Sequence, residues 1–536
     1  MLDILFKNGT ICDGTGQKTF RGNIGIQDGK IISVGQDCIS AGEIIDIEGL
    51  VIAPGFIDEH THTDRTIFEF PEPGGRITQG ITSEVVCNCG IGPFPNHPDR
   101  REELLSYLDS LYSSEKPYDL SWTDFSGFAD AVDRIHPGIN LLPLTAHGAL
   151  RMAVMGTEER KAAPEEMEKM RKLLAESLEQ GAWGMSTGLV YPPGSFADTE
   201  ELESLAEILE LYGTVLTSHV RGESETLLPA IDEILGIGQR TGCAVLISHL
   251  KAIGKAYWGD GCRGLEKITR ARESGQTVWT DQYPYEATNT GLTVLAPDWA
   301  HAGGIDGLIG RLRDPGIRPR LLRAIRERMD TRGGPSCVQI SNIHTEKGRR
   351  YIGKTLEEIA GEEKKTPEAA AADIMEEERG AVSAVYFSLG KQDVETIIQD
   401  PMVAVCSDGY GLSAGARAEK CAVHPRAYGT FPRVLGRYVR EKKLLPLERA
   451  VWKMTGLPAR AFGIPGRGQL REGYTADITV FDPDTIRDRS DFVHPHQYSE
   501  GIEYVMIKGT FSLKNGHLTG NRNGKILRKN REEQPL

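Results

Sequence analysis

The segment Pro54-Gly55-Phe56-Ile57-Asp58-Glu59-His60-Thr61-His62-Thr63-Asp64 determines the fold that we expect for this chain. It follows the apolar run Gly49-Leu50-Val51-Ile52-Ala53, which predicts a buried strand closed by Pro-Gly. Because side chains alternate along an extended strand, His60 and His62 are expected to point to the same side, where two imidazoles can share a metal ion. An isolated His-x-His pair is more often hydrogen-bonded in a core, so the rest of the chain has to decide between the two interpretations.

Composition and charge limit the class of protein. Of the 536 residues, 39% are hydrophobic and 26% are charged, as in globular proteins, and the length predicts one large domain plus a smaller one. The formal net charge of -14 would repel a phosphate backbone, so we expect no nucleic acid partner. The chain start does not resemble a signal peptide, and no apolar segment approaches the roughly 20 residues of a membrane span. With nine irregularly spaced cysteines, we expect a cytoplasmic protein, a monomer or small homo-oligomer, with no membrane partner.

Both ends of the chain have the pattern of short strands separated by glycine turns. Near the start, Asn23-Ile24-Gly25-Ile26 precedes the turn Asp28-Gly29-Lys30, and near the end Asp477-Ile478-Thr479-Val480-Phe481 has the same character. We infer that residues 1-50 and 464-520 build one small β-sandwich domain. The polar and basic residues 521-536 are expected to form a flexible tail.

Between these ends, residues 51-463 alternate strand-like apolar runs with amphipathic helices. Eight strands alternating with helices predict an α/β fold, a (β/α)8 TIM-type barrel with insertions. The predicted strands are residues 49-53, 82-86, 139-144, 182-186, 215-218, 244-248, 277-280 and 402-405. Two further strand-like runs, 338-340 and 384-387, exceed the count, and the first is placed in a long insertion at about 286-343.

In such a barrel the active site lies at the carboxyl ends of the strands, so the residues there test the prediction. Imidazole, thiolate and carboxylate groups are zinc ligands, and ligands scattered over several strands indicate a catalytic rather than a structural metal. The candidate ligands that follow the predicted strands are His60, His62, Cys87, Cys89, His147, His219, His249 and Asp408.

Several motifs of the chain resemble those of a known enzyme family. The Pro-Gly-Phe-Ile-Asp-x-His-x-His segment resembles the first-strand signature of the amidohydrolase superfamily, which pairs a metal-bearing (β/α)8 barrel with a small β domain. Within that superfamily, further motifs resemble the N-acyl-D-amino-acid deacylases, or D-aminoacylases, in family order over nearly the whole chain. These motifs are Asn88-Cys89-Gly90, Trp183-Gly184-Met185-Ser186-Thr187-Gly188-Leu189-Val190-Tyr191, Ser248-His249-Leu250-Lys251, Tyr283-Pro284-Tyr285 and His424-Pro425-Arg426-Ala427-Tyr428-Gly429-Thr430-Phe431-Pro432-Arg433.

The resemblance implies a zinc site with two positions. One Zn2+ ion would be bound tightly by Cys89, His219 and His249, and a second, weaker metal position would be formed by His60, His62 and Asp408. Cys89 stands where many members of the superfamily use a carboxylated lysine. Cys87 lies outside the Asn-Cys-Gly pattern and is expected to be a small buried apolar residue.

The implied reaction is hydrolysis of N-acyl-D-amino acids to a carboxylate and a free D-amino acid. Zinc activates water and polarises the carbonyl, Asp408 is expected to move the proton from water to the leaving amine, and Tyr191 to donate to the developing oxyanion. The implied substrate-binding residues are Lys251, Tyr283 and Arg426, which would receive the α-carboxylate, and Asn289, which replaces a serine of many relatives.

The loop after the seventh strand predicts the preferred D-side chain. Relatives selective for acidic D-amino acids use an arginine there, whereas residues 286-310 contain neither Lys nor Arg. The same range contains Leu292, Val294, Leu295 and Trp299. We therefore expect a preference for neutral or apolar side chains.

Three alternatives remain open. The chain could be another amidohydrolase that acts on cyclic amides or on dipeptides with a D-residue, but Cys89 and the Lys251/Tyr283/Arg426 set argue against the cyclic case. A non-catalytic scaffold would be expected to have lost metal-site residues, and none is missing. A metal-dependent isomerase or lyase is compatible with the ligand types alone.

Overall fold

The structure is a computed structural model that describes residues 1–37, 39–111, 119–343, 345–415 and 423–530. The strands in these ranges are β1 (Leu2–Ile11), β2 (Phe20–Gln27), β3 (Lys30–Gly35), β4 (Ala41–Asp46), β5 (Val51–Pro54), β6 (Phe56–Asp58), β7 (Ile81–Val86), β8 (Asn140–Pro143), β9 (Thr145–Ala146), β10 (Gly184–Gly188), β11 (Val215–His219), β12 (Ala244–Ile247), β13 (Val278–Gln282), β14 (Thr288–Gly291), β15 (Val338–Ile343), β16 (Val382–Tyr386), β17 (Val403–Val405), β18 (Ile478–Phe481), β19 (Ile502–Ile507), β20 (Thr510–Lys514) and β21 (His517–Leu518).

The α-helices in the same ranges are α1 (Gly74–Ile77), α2 (Arg101–Leu111), α3 (Phe125–Arg134), α4 (His147–Met155), α5 (Pro164–Glu179), α6 (Thr199–Leu211), α7 (Leu227–Thr241), α8 (Asp260–Glu273), α9 (Gly304–Arg313), α10 (Arg318–Thr331), α11 (Leu356–Glu363), α12 (Pro367–Glu377), α13 (Lys391–Ile397), α14 (Arg426–Arg433), α15 (Leu447–Met454) and α16 (Gly456–Phe462). A π-helix, Val434–Glu441, continues α14. Within the described residues, none of these helices combines the length and the hydropathy that a bilayer span requires.

The central part of the chain forms the predicted (β/α)8 barrel. Strands β6, β7 and β8 are parallel neighbours, and β9, β10, β11, β12, β13 and β17 continue the parallel order. β8 and β9 are two halves of one barrel strand, which pair with β7 and β10 respectively. The barrel closes between its first and last strands, where the Asp408 N–H donates to the His60 carbonyl (2.8 Å) and the His62 N–H donates to the Gly409 carbonyl (2.9 Å).

The apolar run predicted as the first barrel strand belongs to a different sheet. Val51–Pro54 pairs with β1 and β18 of the β domain, and the first barrel strand is Phe56–Asp58. Gly55 lies between the two, and a Cβ added there would lie 2.3 Å from Thr82 Oγ1. The chain can therefore pass from one sheet to the other at this point only because residue 55 has no side chain. The start of the barrel, predicted at residue 51, is displaced by one strand to Phe56.

Both ends of the chain contribute to one nine-stranded sheet. Its order is β21-β20-β19-β18-β5-β1-β2-β3, with β4 beside β1. A separate apolar core forms on this sheet from both ends of the chain, including Phe6, Ile24, Ile52, Ile478 and Met506. The sheet thus joins residues that are more than 400 positions apart, as the repeated strand-and-turn pattern predicted.

The insertion after the seventh barrel strand is longer than the predicted range of 286-343. β16 pairs antiparallel with both β14 and β15, so residues 382–386 form the central strand of a three-stranded sheet. Helices α9 to α12 pack with this sheet around a second apolar core that includes Leu308, Ile325, Ile359 and Met375. The inserted unit therefore continues to about residue 386, and it includes the second surplus strand.

Residues 524–529 of the segment predicted as a flexible tail are attached to the barrel. The Leu527 N–H donates to the Leu141 carbonyl (2.8 Å), the indole N–H of Trp183 donates to the Leu527 carbonyl (2.6 Å), and the Lys529 N–H donates to the Gly181 carbonyl (2.9 Å). Residues 531–536 lie outside the described residues. The polar composition concealed these contacts because they are made mainly by the backbone.

Candidate active site

Six predicted metal ligands converge at the carboxyl ends of the barrel strands. His60 and His62 follow β6, Cys89 follows β7, His219 ends β11, His249 follows β12 and Asp408 follows β17. Each of the six residues is at most 8% exposed. The parallel barrel brings together side chains that the sequence separates by up to 348 positions, because all of its strands end at the same rim.

Cys89 lies at the centre of this cluster. Its Sγ atom is 3.2 Å from His60 Nε2, 3.4 Å from His249 Nε2 and 3.6 Å from His219 Nδ1. Burial by itself would raise the pKa of the Cys89 thiol, but the charges of His60 and His249 and the hydrogen bonds to His219 and His249 hold that pKa well below its ordinary value. Cys89 is therefore placed as a thiolate that can bind a metal.

Asp408 forms the opposite side of the cluster. Its Oδ1 atom lies 3.1 Å from His62 Nε2 and 3.7 Å from His60 Nε2, while Oδ2 pairs with Arg426 Nη1 at 2.8 Å. Burial opposes ionisation, but the Arg426 guanidinium and the His62 hydrogen bond hold the pKa of Asp408 well below its usual range. The Asp408 carboxylate is therefore charged and has one oxygen directed towards the histidines.

Three of the candidate ligands have a strained backbone. Cys89, His249 and Asp408 adopt φ angles of 55°, 39° and 50°, in the left-handed region that residues with a Cβ atom seldom enter. Such a conformation costs on the order of 1–2 kcal/mol per residue. Each lies two or three residues after the end of a barrel strand, in the segment that leads away from the barrel mouth. Backbone strain at three converging residues is characteristic of a functional site.

The donor set fits zinc in both chemistry and spacing. The ligand atoms of His60, Cys89, His249 and Asp408 all lie within 4.8 Å of one another. Ligand distances of about 2.0–2.3 Å from a tetrahedral zinc ion would place neighbouring ligand atoms roughly 3.3–3.8 Å apart. The spacings of 3.2 to 3.6 Å around Cys89 Sγ are close to that range. Imidazole, thiolate and carboxylate together are the ligand types that zinc prefers.

Two carboxylates at the site were not predicted from the sequence. Asp281 accepts the backbone N–H of His249, and its Oδ2 atom lies 3.7 Å from His60 Nδ1. Glu223 lies 3.3 Å from His219 Nε2 and 2.5 Å from Lys251 Nζ. Asp281 could have been found by inspecting the end of the seventh barrel strand. Glu223 lies in the loop after β11, four residues beyond a candidate ligand, and no pattern in the sequence marks it.

The predicted carboxylate-binding residues lie together beside the metal cluster. The guanidinium carbon of Arg426 lies 4.9 Å from the centroid of the Tyr283 ring, and Lys251 Nζ lies 5.7 Å from the same centroid. The Tyr283 hydroxyl is buried and has no hydrogen-bond partner among the described residues. Tyr283, Lys251 and Asp408 line one cavity of about 220 Å³. Two cations and one unpaired hydroxyl form a site of the kind that receives a carboxylate.

Tyr191 and Asn289 differ in their orientation. The Tyr191 hydroxyl lies 3.0 Å from Thr290 Oγ1, and its ring lies 5.1 Å from the His219 ring, at the wall of the cavity. The Asn289 amide instead donates to Ser341 Oγ (2.9 Å) and to the Ala384 carbonyl (3.0 Å), within the sheet of the insertion. The Asn289 side chain can therefore donate to a substrate, as predicted, only if these two hydrogen bonds break.

Only one of the four apolar residues predicted to surround the substrate side chain lines this cavity. Val294 is part of the cavity wall. Leu292 and Leu295 are fully buried in the core of the insertion. The Trp299 ring packs against the guanidinium of Arg320 at 4.4 Å.

Two arginines beyond the range considered in the sequence also line the cavity. Arg328 is paired with Asp298 at 2.9 Å. Arg332 donates to the Arg328 carbonyl and lies near the Tyr386 ring, but no carboxylate of the described residues is within ion-pair distance. Burial lowers the pKa of the Arg332 guanidinium, which nevertheless stays charged. The structure therefore brings to a pocket predicted to be apolar a cation that has no ionic partner in the described part of the chain.

Comparison with known proteins identifies the family. A family model described as "Amidohydrolase family" matches residues 43–327 and 411–512. N-acyl-D-glutamate deacylase of Alcaligenes xylosoxydans xylosoxydans is 36% identical over 530 residues, with 98% of this chain and 97% of that protein covered. D-aminoacylase of the same organism is 34% identical over 528 residues, with coverage of 98% and 97%.

A solved structure agrees with both the fold and the family. N-acyl-D-glutamate deacylase from Bordetella bronchiseptica, complexed with zinc and a phosphonate inhibitor, is 34% identical and superposes with a TM-score of 0.83, with 98% of this chain and 99% of that chain covered. The likeness extends over the barrel and the β domain together and confirms the resemblance found in the sequence motifs. The chain therefore belongs to the N-acyl-D-amino-acid deacylase family of the amidohydrolases.

Proposed function

We propose that this protein hydrolyses the amide bond of N-acyl-D-amino acids and releases a carboxylate and a free D-amino acid. The observation that carries the proposal is the cluster around Cys89 Sγ, with three imidazoles within 3.6 Å, beside the cations Lys251 and Arg426. The relatives named above support the reaction class.

The proposed metal positions are those that the family resemblance implies. Cys89, His219 and His249 would hold one zinc ion tightly, and His60, His62 and Asp408 would form a second, weaker position. Bound zinc supplies Lewis-acid polarisation of the scissile carbonyl and lowers the pKa of a water molecule. The reported zinc complex of the Bordetella relative supports this choice of metal.

The protein's own groups then have defined tasks. Asp408 is an ionised carboxylate at the cluster, so it can accept the proton of the attacking water and pass it to the leaving nitrogen. Burial raises the pKa of Tyr191 well above its ordinary value, so its hydroxyl remains a donor that can stabilise a developing oxyanion. Lys251, Arg426 and the Tyr283 hydroxyl would hold the α-carboxylate of the substrate and thereby orient its acyl group towards the metal.

Two features of the cavity support different side-chain preferences. From the sequence we propose a preference for neutral or apolar D-side chains, and Val294, Val190 and Ile253 on the cavity wall support it. A second candidate is an acidic D-side chain, because Arg332 lines the same cavity without a carboxylate partner among the described residues.

Steady-state kinetics with N-acetyl-D-Met and N-acetyl-D-Glu would decide between the two preferences. If apolar side chains are preferred, kcat/KM is higher for the D-Met substrate and Arg332→Met leaves this order unchanged. If Arg332 binds an acidic side chain, kcat/KM is at least as high for D-Glu, and Arg332→Met lowers it about tenfold or more, the range for loss of a charge-assisted hydrogen bond. Arg323→Met, at an exposed position of α10, is the matched control.

The reaction itself is tested by the metal content of the purified protein and by amine release from N-acetyl-D-Met and N-acetyl-L-Met. We expect zinc, release from the D-isomer only, loss of activity with a chelator and recovery on addition of zinc. Zinc without activity on the D-isomer, but with opening of a cyclic amide or cleavage of a D-residue dipeptide, would replace the proposed substrate class. Cytoplasmic location and a monomeric or small homo-oligomeric state stay predictions, to be checked by fractionation and light scattering.

A further inference from the structure

Glu223 contacts the outer nitrogen atoms of two candidate zinc ligands. Its Oε2 atom lies 3.3 Å from His219 Nε2, and its Oε1 atom lies 3.6 Å from His249 Nδ1. The side chain is only 10% exposed. The same oxygen, Oε1, lies 2.5 Å from Lys251 Nζ. One carboxylate thus connects two metal ligands with a residue proposed to bind the substrate carboxylate.

The positions of the ring protons determine what Glu223 can do. Cys89 Sγ faces Nδ1 of His219 and Nε2 of His249, so these are the nitrogens available to a metal. A neutral imidazole that binds a metal through one nitrogen carries its proton on the other. His219 then carries a proton on Nε2 and His249 carries one on Nδ1. Glu223 Oε2 lies 3.3 Å from the first of these nitrogens and Oε1 lies 3.6 Å from the second, which are ion-pair distances, so a small shift of the carboxylate or the rings lets one carboxylate accept both protons.

Lys251 depends on the same carboxylate. Its ammonium group lies 2.7 Å from His249 Nδ1 and 3.2 Å from the His249 carbonyl. A protonated Nδ1 cannot accept a hydrogen bond from an ammonium group, so in the metal-binding tautomer the ammonium group moves away from Nδ1 and keeps two acceptors, Glu223 Oε1 and the His249 carbonyl. Its third N–H is then free for an anionic substrate group. Glu223 therefore also sets the direction in which Lys251 can donate.

We propose that Glu223 is a positioning residue that accepts the outer ring protons of both His219 and His249 and holds Lys251 towards the substrate carboxylate. The inference rests on the metal site of the proposed function and goes beyond it, because it assigns a role to a residue outside the ligand set. Outer carboxylates of this kind fix the tautomer and orientation of a histidine ligand, and their loss typically weakens metal binding by about 10–100-fold.

The first test is Glu223→Gln, which preserves the size of the side chain but leaves one acceptor and adds an N–H donor. We expect zinc to be lost to a chelator at a roughly 10–100-fold lower chelator concentration. The visible spectrum of the cobalt-substituted protein should shift because the ligand field changes. KM for N-acetyl-D-Met should rise because Lys251 loses the carboxylate that holds it towards the substrate. Glu210→Gln, exposed on α6, is the matched control and should match the wild type in all three measurements. Unchanged zinc retention and an unchanged cobalt spectrum in Glu223→Gln would overturn the proposal.

A second measurement uses the wild-type protein and does not depend on folding of the variant. Nitrogen NMR of the zinc-loaded, histidine-labelled protein should show opposite tautomers, with the proton on Nε2 of His219 and on Nδ1 of His249. The same tautomer in both residues would overturn the proposal. A wild-type protein that binds zinc and cleaves N-acetyl-D-Met but fails this test keeps the proposed reaction and rejects the ligand nitrogens from which the role of Glu223 is inferred, and this inference with them. A wild-type protein that binds no zinc rejects the metal site and this inference together.

Discussion

Cys89 is the residue on which the metal site depends most. Its thiolate lies within reach of the histidines of both proposed metal positions, at 3.2 Å from His60 and 3.4 to 3.6 Å from His249 and His219. The left-handed backbone at Cys89 shows that the chain accepts strain to place this sulfur at the barrel mouth.

Cys89→Ala should therefore remove zinc from the purified protein. Loss of a direct ligand is expected to weaken zinc binding by more than the roughly 100-fold that outer-shell changes cause, and amine release from N-acetyl-D-Met should fall with it. Cys87→Ala is the control: this thiol is also fully buried, but it does not belong to either group of potential metal ligands among the described residues. Metal analysis by emission spectroscopy measures both variants, and retention of zinc by Cys89→Ala would contradict the assignment.

At the scale of elements, the insertion is a structural part of the active site. Strand β14 places Thr290 beside the Tyr191 hydroxyl, and it presents the Asn289 carbonyl to Arg426 at 3.2 Å. The strand is held in the insertion by pairing with β16. The backbone register of the insertion thus positions the Thr290 side chain and the Asn289 carbonyl at the cavity. Changes within its sheet should therefore alter the geometry of the active site.

Asn289→Ala tests this arrangement. The change removes the donors to Ser341 and to the Ala384 carbonyl, so we expect a loss of about 1–3 kcal/mol in the free energy of unfolding. We expect a smaller effect on kcat/KM, because the Asn289 carbonyl remains. Ser341→Ala removes one of the same hydrogen bonds and should reproduce part of the stability loss. If Asn289→Ala keeps its thermal stability but loses activity more than about 100-fold, its amide would be a direct substrate contact, as predicted from the sequence.

At the scale of the whole molecule, the two ends of the chain meet in one sheet, and the C-terminal end also bonds to the barrel. The N-terminal strands and the strands after residue 478 share one sheet, and residues 524–529 continue from it to the barrel strands. The Leu527 carbonyl accepts the Trp183 indole N–H, and Ile526 forms a bridge with Leu141. The C-terminal segment therefore contributes to the stability of the barrel itself.

Truncation after Gly524 should lower the free energy of unfolding of the protein. It removes the hydrogen bonds of Leu527 and Lys529, worth about 1 kcal/mol each, and exposes the apolar surface that Ile526 and Leu527 cover. Truncation after Asn530 keeps all of these contacts and is the control with which the thermal midpoint is compared. Differential scanning calorimetry of the two truncations measures the effect, and equal midpoints would indicate that the segment contributes nothing.

Features that depend on local periodicity and strand ends were determined by the sequence by itself. The alternation of apolar runs and amphipathic helices predicted the barrel, and the family resemblance of the strand-end motifs implied the ligand set from His60 to Asp408, which stays a prediction. The candidate ligands lie together because a parallel barrel gathers all strand ends at one rim, so position along each strand is enough to locate a side chain.

Features that depend on contacts between distant segments were decided only by the tertiary structure. The sequence could not reveal that Val51–Pro54 pairs with Ile478–Phe481, that β16 completes the insertion sheet, or that Arg332 reaches the cavity. Glu223 and Asn289 belong to the same class, since their partners are set by loop conformation and strand register. Local propensity carries no information about which distant hydrogen-bond partner a buried polar group acquires, and that partner determines its role.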